Sequence, residues 1–113
     1  MAEALSESVF DDIAALTLDQ MVTALSDLED ERLDADLESG VLTLRFDDGT
    51  RYVVNSHRAA RQIWMAAEAT AWHFEWNGQA WISTKSDDEL WNTVRTWVSK
   101  KLGHEIDLPR PAP

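Results

Sequence analysis

The sequence predicts an α+β two-layer sandwich: an N-terminal and a C-terminal helix packed on one face of an antiparallel sheet of five or six strands. Three observations predict it. Apolar residues recur at three- and four-residue steps near both ends of the chain, which is the helical period. Between residues 33 and 83 the period drops to two, the period of strands. The pairs Ser39-Gly40, Asp48-Gly49 and Asn77-Gly78 punctuate that stretch with tight-turn signals, and strands joined by tight turns must run antiparallel.

The first helix is expected from about Ser8 to Leu28. Phe10, Ile13, Ala14, Thr17, Met21, Ala24, Leu25 and Leu28 line one stripe, Ser8 is placed as N-cap, and Asp11 and Asp12 suit the positive end of the helix dipole. Leu33, Ala35 and Leu37 then alternate with Asp34, Asp36 and Glu38, a strand with one wet, acidic face. After Ser39-Gly40, Leu42, Leu44 and Phe46 alternate with Val41, Thr43 and Arg45; beyond Asp48-Gly49, Tyr52 and Val54 continue the pattern. Ile63-Trp64-Met65 and Trp72–Trp76 read as further strands, and Asn77-Gly78 returns the chain through Trp81-Ile82-Ser83. The last helix is expected from about Asp87 to Leu102, opened by a Ser86/Glu89 capping box and closed by Gly103, with Lys100 and Lys101 at its negative end. Its buried stripe is Leu90, Trp91, Val94, Trp97, Val98 and Leu102. Both stripes need a single apolar surface, which the inward residues Leu42, Leu44, Phe46, Tyr52, Val54, Ile63 and Phe74 supply. The opposite sheet face must meet water or a partner.

A chain of 113 residues supports one hydrophobic core, so one domain is expected over residues 1–108, with Pro109, Pro111 and Pro113 marking a short tail over 109–113. There is no cysteine, which removes disulfides, thiolate metal sites and thiol nucleophiles together. No apolar run approaches the roughly 20 residues a bilayer span needs. Residues 1–9 carry neither a basic residue nor a long apolar stretch, so a cytoplasmic location is expected.

The net charge of −11 is unevenly placed. Residues 1–40 hold twelve acids against one base, Arg32, whereas residues 41–113 hold nine of each. Such a field repels nucleic acid and anionic membrane and favours cations or a basic protein patch. The six tryptophans do not reverse this, because a stacking surface for single-stranded nucleic acid needs interleaved basic residues. The candidate cation site is the acidic edge Asp27, Glu29, Asp30, Glu31, Asp34 and Asp36, with Asp19 one turn back on the helix. Asp34 and Asp36 share a strand face, and carboxylates from helix and strand are expected to converge if the two lie side by side. A like-charged pair about 6 Å apart repels by roughly 0.7 kcal/mol in water, and a cation relieves it. Oxygen-only ligands suit hard cations, Fe²⁺, Fe³⁺, Mn²⁺, Ca²⁺ or Mg²⁺, in weak, water-completed sites. On the open sheet face, parity places Thr43, Arg45, Arg51, Val53, Asn55, Gln62, Trp64 and His73; an outward Trp64 there is either an interaction hot spot or covered by a helix or loop. His57 and His104 are expected to be loop or terminal residues without a role, and His73 is left open between metal ligand, pH sensor and plain sheet residue.

From about Phe10 to Leu108 the chain resembles the frataxin family. The resemblance rests on the run from Gly40 to Gly49, on Gln62-Ile63-Trp64-Met65-Ala66, on Trp72-His73-Phe74, on Trp81-Ile82 after Asn77-Gly78, and on Asn55 ahead of the tryptophan stretch. It departs from the family pattern at Ser56-His57-Arg58-Ala59, where a Lys/Arg-Gln pair and a proline are usual, and at Thr70-Ala71, where glycines are usual. Val22, Thr23 and Ser26 stand where many bacterial relatives carry acids. The resemblance implies the same sandwich, and a cytoplasmic protein that binds iron weakly through the acidic edge and regulates iron–sulfur cluster assembly. It further implies cysteine desulfurase and scaffold partners contacted through Asn55 and Trp64, and a monomer, with metal-induced oligomers as a variant. Two other readings use the same carboxylates: a ferroxidase or iron store, and an acidic decoy for a basic protein site.

Overall fold

A computed structural model describes residues 5–111. Helix α1 (Glu7–Ser26) leads into strands β1 (Leu33–Glu38), β2 (Val41–Phe46), β3 (Arg51–His57), β4 (Gln62–Ala67), β5 (Thr70–Trp76) and β6 (Trp81–Ser83), and helix α2 (Leu90–Leu102) follows. A single 3-10 turn, Arg58–Ala60, joins β3 to β4. The six strands form one antiparallel sheet in sequence order. This is the meander that consecutive tight turns impose. Both helices share one core with the inward residues of the sheet, so the two-layer sandwich stands.

Alternation decides what that core contains. In β2 and β3, Leu42, Leu44, Phe46, Tyr52 and Val54 are buried while their sequence neighbours are not. Ile63, Met65 and Ala67 do the same in β4, and Phe74 in β5. Helix α1 contributes Phe10, Ala14, Thr17, Leu18, Met21 and Leu25. A buried polar link crosses the layers: the Trp81 indole N–H donates to Thr17 Oγ1 at 3.0 Å, and that hydroxyl donates to the Ile13 carbonyl at 2.8 Å. Beyond α2 the chain folds back, burying Ile106 and Leu108, with the Ile106 N–H donating to Ser99 Oγ.

Several boundaries differ from expectation. Helix α1 is capped two residues earlier, because Ser6 rather than Ser8 accepts from the Val9 N–H, and it ends at Ser26 with Asp27 as its C-cap. The Ser86/Glu89 capping box does not form. Glu89 is held extended (φ −103°, ψ 142°) by a bridge to Ile82, so α2 cannot start before Leu90, and the Glu89 carboxylate itself accepts from Trp91 and Asn92 N–H. Ser86 bonds only to its neighbour Asp88. Thr70 and Ala71, which stand where the family usually has glycines, open β5; the reversal before them is made at Glu68, whose φ of 55° takes the left-handed conformation. Trp81 and Trp91 are core, while Trp72, Trp76 and Trp97, the last expected in the buried stripe of α2, pack partly buried against it. No helix among the described residues is long and apolar enough to cross a membrane.

Candidate acidic edge and sheet-face site

Helix α1 packs beside the edge strand β1, so the two acid-rich segments form one side of the molecule. The seven carboxylates do not, however, converge. Leu33, Ala35 and Leu37 turn toward the core, so Asp34, Asp36 and Glu38 necessarily point to the other sheet face, away from the helix layer. Asp19 and Asp27 are exposed at α1, and Glu29, Asp30 and Glu31 occupy the connection between helix and strand. The charge therefore wraps around an edge, and among the described residues no three of His, Cys, Asp or Glu are grouped as a metal-holding set.

The seven also differ in how free they are. Asp30 accepts from Arg32 through both carboxylate oxygens (Nε–Oδ1 3.1 Å, Nη2–Oδ2 2.9 Å) and from the Arg32 backbone N–H at 3.0 Å. Arg32 Nη1 meanwhile donates to the Leu102 carbonyl at 2.8 Å, fastening the α1–β1 connection to the end of α2. These bonds, the Arg32 side chain first, hold the Asp30 carboxyl well below its ordinary range, with a smaller contribution from His104 at 3.4 Å. Asp30 is thus a tie in the fold before it is a ligand. Asp34 lies 3.8 Å from Arg45, a loose exposed pair. Asp19, Asp27, Glu29, Glu31 and Asp36 make no ion pair among the described residues and stay available to a cation. Further along α1, Arg58 offsets Glu7 and Asp11 at 3.6 and 3.1 Å.

The strand register joins this edge to the open face. Glu38, Val41, Asn55, Trp64 and His73 are successive partners across β1 to β5 and form one straight row. Asp36, Thr43, Val53, Ala66 and Ala71 form the next row, and Asp34, Arg45 and Arg51 begin a third. Asn55 and Trp64 are directly opposite each other, on the same face as the three β1 acids.

Trp64 is neither a bare hot spot nor covered by a helix or loop. It is half-buried between two imidazoles: His57 stacks at a centroid distance of 3.8 Å and His73 at 4.3 Å, with interplanar angles of 15° and 9°. Its Nε1 donates to Gln62 Oε1 at 2.7 Å. His57 is therefore no loop residue. It closes β3, two positions beyond Asn55, and falls diagonally beside Trp64. Its signal was available in the alternation of Val53, Asn55 and His57, had the strand been carried two residues further. Arg32 offered no such signal, since its bond to Leu102 spans 70 residues of sequence.

The model of the frataxin-like domain matches residues 3–104. An iron-sulfur cluster assembly protein CyaY from Ralstonia nicotianae is 36 % identical over 92 % of this chain and 95 % of its own length. The protein of that name from Dechloromonas aromatica is 35 % identical over 92 % of this chain and 99 % of its own. Among solved structures, frataxin from Psychromonas ingrahamii superposes with a TM-score of 0.86 at 22 % identity, covering 94 % of this chain and all of that one. Trimeric frataxin from Saccharomyces cerevisiae, complexed with ferrous iron, gives 0.72 at 24 % identity over 91 % of each chain. Two helices on one face of a six-stranded antiparallel sheet, a family model matched over most of the length and relatives above 30 % identity agree: the chain belongs to the frataxin-like family.

Proposed function

We propose that this protein is an iron-binding, non-catalytic regulator of iron–sulfur cluster assembly, which docks on cysteine desulfurase and its scaffold through the acidic edge and the open sheet face. One observation carries the reading. The register runs Glu38 into the row of Asn55 and Trp64 and sets Asp36 and Asp34 in the next two rows of the same sheet face, so charge and contact surface are continuous. The names of the relatives from Ralstonia and Dechloromonas support the pathway, and the ferrous complex of the yeast protein supports the cation. The unbalanced acidic segment steers a basic protein surface toward that face, and the Trp64 row supplies contact area once it arrives.

The donor set fits iron in a limited way. Asp19, Asp27, Glu29, Glu31, Asp34 and Asp36 are hard oxygen ligands, and the ions they would hold keep most of their water. Asp30 is the least available of the predicted ligands because Arg32 already occupies both of its oxygens. A ferroxidase or iron-storage role needs several of these groups around one centre; the described residues group no three, which favours the docking reading.

The test is a residue-resolved NMR titration with Fe²⁺ under anaerobic conditions and, separately, with the desulfurase. Iron should perturb the end of α1, the following connection and β1; the desulfurase should perturb the same edge together with Asn55 and Trp64. A desulfurase footprint on α2 that spares the sheet would sink the proposal. Partner binding unaffected by iron would favour the decoy, and stoichiometric oxygen consumption with ordered metal centres would favour ferroxidase.

A further inference from the structure

Resting on the reading that this sheet face meets a protein, we propose that His57 and His73 are positioning residues for Trp64, clamping the indole so that a partner can reach its edge but not its face. The usual ways in which a surface tryptophan binds are a partner stacked on the ring and a hydrogen bond from the indole N–H. Here both are already used within the molecule. His57 covers one face at 3.8 Å and His73 the other at 4.3 Å, each nearly parallel to the indole. The N–H donates to Gln62 Oε1, and the Gln62 amide in turn donates to Glu75 Oε2 at 3.1 Å.

The three rings come from three adjacent strands, β3, β4 and β5, and stand side by side across the sheet. What remains free on Trp64 is a rim of C–H groups, the positive edge of the ring quadrupole. That edge fits carbonyl or carboxylate oxygens and aliphatic side chains, and it rejects an incoming arginine or aromatic side chain that needs an open ring face. The structure thus assigns the partner's contact to a segment presenting oxygens and aliphatic groups. Fixing the indole before contact lowers the ordering cost of binding.

His57 also supplies a discriminating variant. Its Nδ1 is buried without a hydrogen-bond partner among the described residues, so a phenylalanine keeps a flat ring in place and leaves no unpaired nitrogen. The variants to compare are His57→Ala/His73→Ala and His57→Phe/His73→Phe. The first measurement is the order parameter of the Trp64 indole N–H in the free protein, and the second is affinity for the desulfurase by calorimetry. The wild-type value should be near the rigid limit of about 0.85, should fall below about 0.6 in the alanine pair, and should return in the phenylalanine pair. Affinity should follow the same order, with a loss of about tenfold in the alanine pair, the scale of a single strong contact residue. An unchanged order parameter in the alanine pair overturns the clamp. So does a loosened indole that leaves affinity unchanged while Trp64→Ala weakens it, or a phenylalanine pair that restores neither quantity. If Trp64→Ala binds like wild type, the docking reading fails by itself, and the order parameter still decides the clamp.

Discussion

Thr17→Val is the substitution whose effect follows most directly from the structure. Thr17 is 7 % exposed and Trp81 1 % exposed, and the indole N–H has the Thr17 hydroxyl as its acceptor at 3.0 Å. Valine has nearly the same shape, so no cavity opens; what changes is that a buried donor loses its partner. That costs about 1–3 kcal/mol, whereas the hydroxyl's own bond to the Ile13 carbonyl matters little because a helical carbonyl keeps its backbone partner. Replacing a hydroxyl by a methyl group in an apolar setting returns part of this, so a net loss of about 2 kcal/mol is expected. For a domain of this size that is a fall of roughly 8 °C in melting temperature. Urea denaturation of a four-member cycle with Trp81→Phe isolates the bond: in the phenylalanine background Thr17→Val should cost less by about 1 kcal/mol or more. A cost below about 0.5 kcal/mol with no coupling would refute the reasoning, since it would mean that Trp81 N–H finds water instead, through the groove that Thr17 and Trp81 both line. The link matters for function because it fixes α1, with its share of the acidic edge, against the sheet.

Ser6→Ala should cost about 0.5–2 kcal/mol in chemical denaturation and Ser8→Ala almost nothing, because only Ser6 caps α1; the reverse order would move the helix start back to the position first expected. Gly40→Ala should lose about 1–3 kcal/mol, since Gly40 sits at φ +78° and an added Cβ would lie 2.7 Å from Ser56 Oγ; adding Ser56→Gly should recover the steric part and leave the backbone part. Asp48 is held at about 2 by the Lys101 ammonium at 2.6 Å and then by the Thr50 N–H. Its folded pKa is depressed, so its stabilisation is complete above the ordinary value of 3.8 and disappears as pH falls toward 2. Melting curves from pH 6 to pH 2 should accordingly fall less steeply for Asp48→Asn than for wild type, and parallel curves would show that the pair contributes nothing.

Most of the fold was legible because its signals are local. Alternation in Leu42–Phe46 and Tyr52–Val54, punctuated by Asp48-Gly49, leaves little freedom in pairing or in which residues face inward. The misplaced start of α2 shows the limit of a local motif. Ser86 and Glu89 have the capping-box spacing, but a non-local bridge from Ile82 keeps Glu89 in strand geometry and postpones the helix. The site was legible in composition rather than in geometry. The acids of β1 were correctly placed on one face, and the parity that buries Leu33, Ala35 and Leu37 already required that face to be the one opposite α1. Convergence with the helix was therefore excluded by the same alternation that predicted the strand. The ties that set the availability of each carboxylate, Arg32 on Asp30 and Arg58 on Glu7 and Asp11, depend on loop and tertiary contacts that no periodicity encodes.

Strand geometry also bounds how the edge can hold a cation. Same-face neighbours on a strand are about 7 Å apart at the backbone, and residues two steps further about 13 Å. Oxygens sharing one hard ion lie about 2.0–2.6 Å from it, hence no more than about 5 Å from each other. Asp34 and Asp36, or Asp36 and Glu38, can lean together to meet that limit; Asp34 and Glu38 cannot, so β1 supplies at most two carboxylates to one ion and water completes the shell. An ion held this way exchanges readily and acts mainly by cancelling charge. The same carboxylates blunt the exposed edge of β1 against pairing with another strand, an office they keep with or without metal. On the docking reading, a bound cation and a basic partner surface draw on one pool of negative charge. Each must then weaken the other's binding by the same factor where they share a carboxylate, and iron can strengthen the complex only by bridging to a ligand that the partner provides.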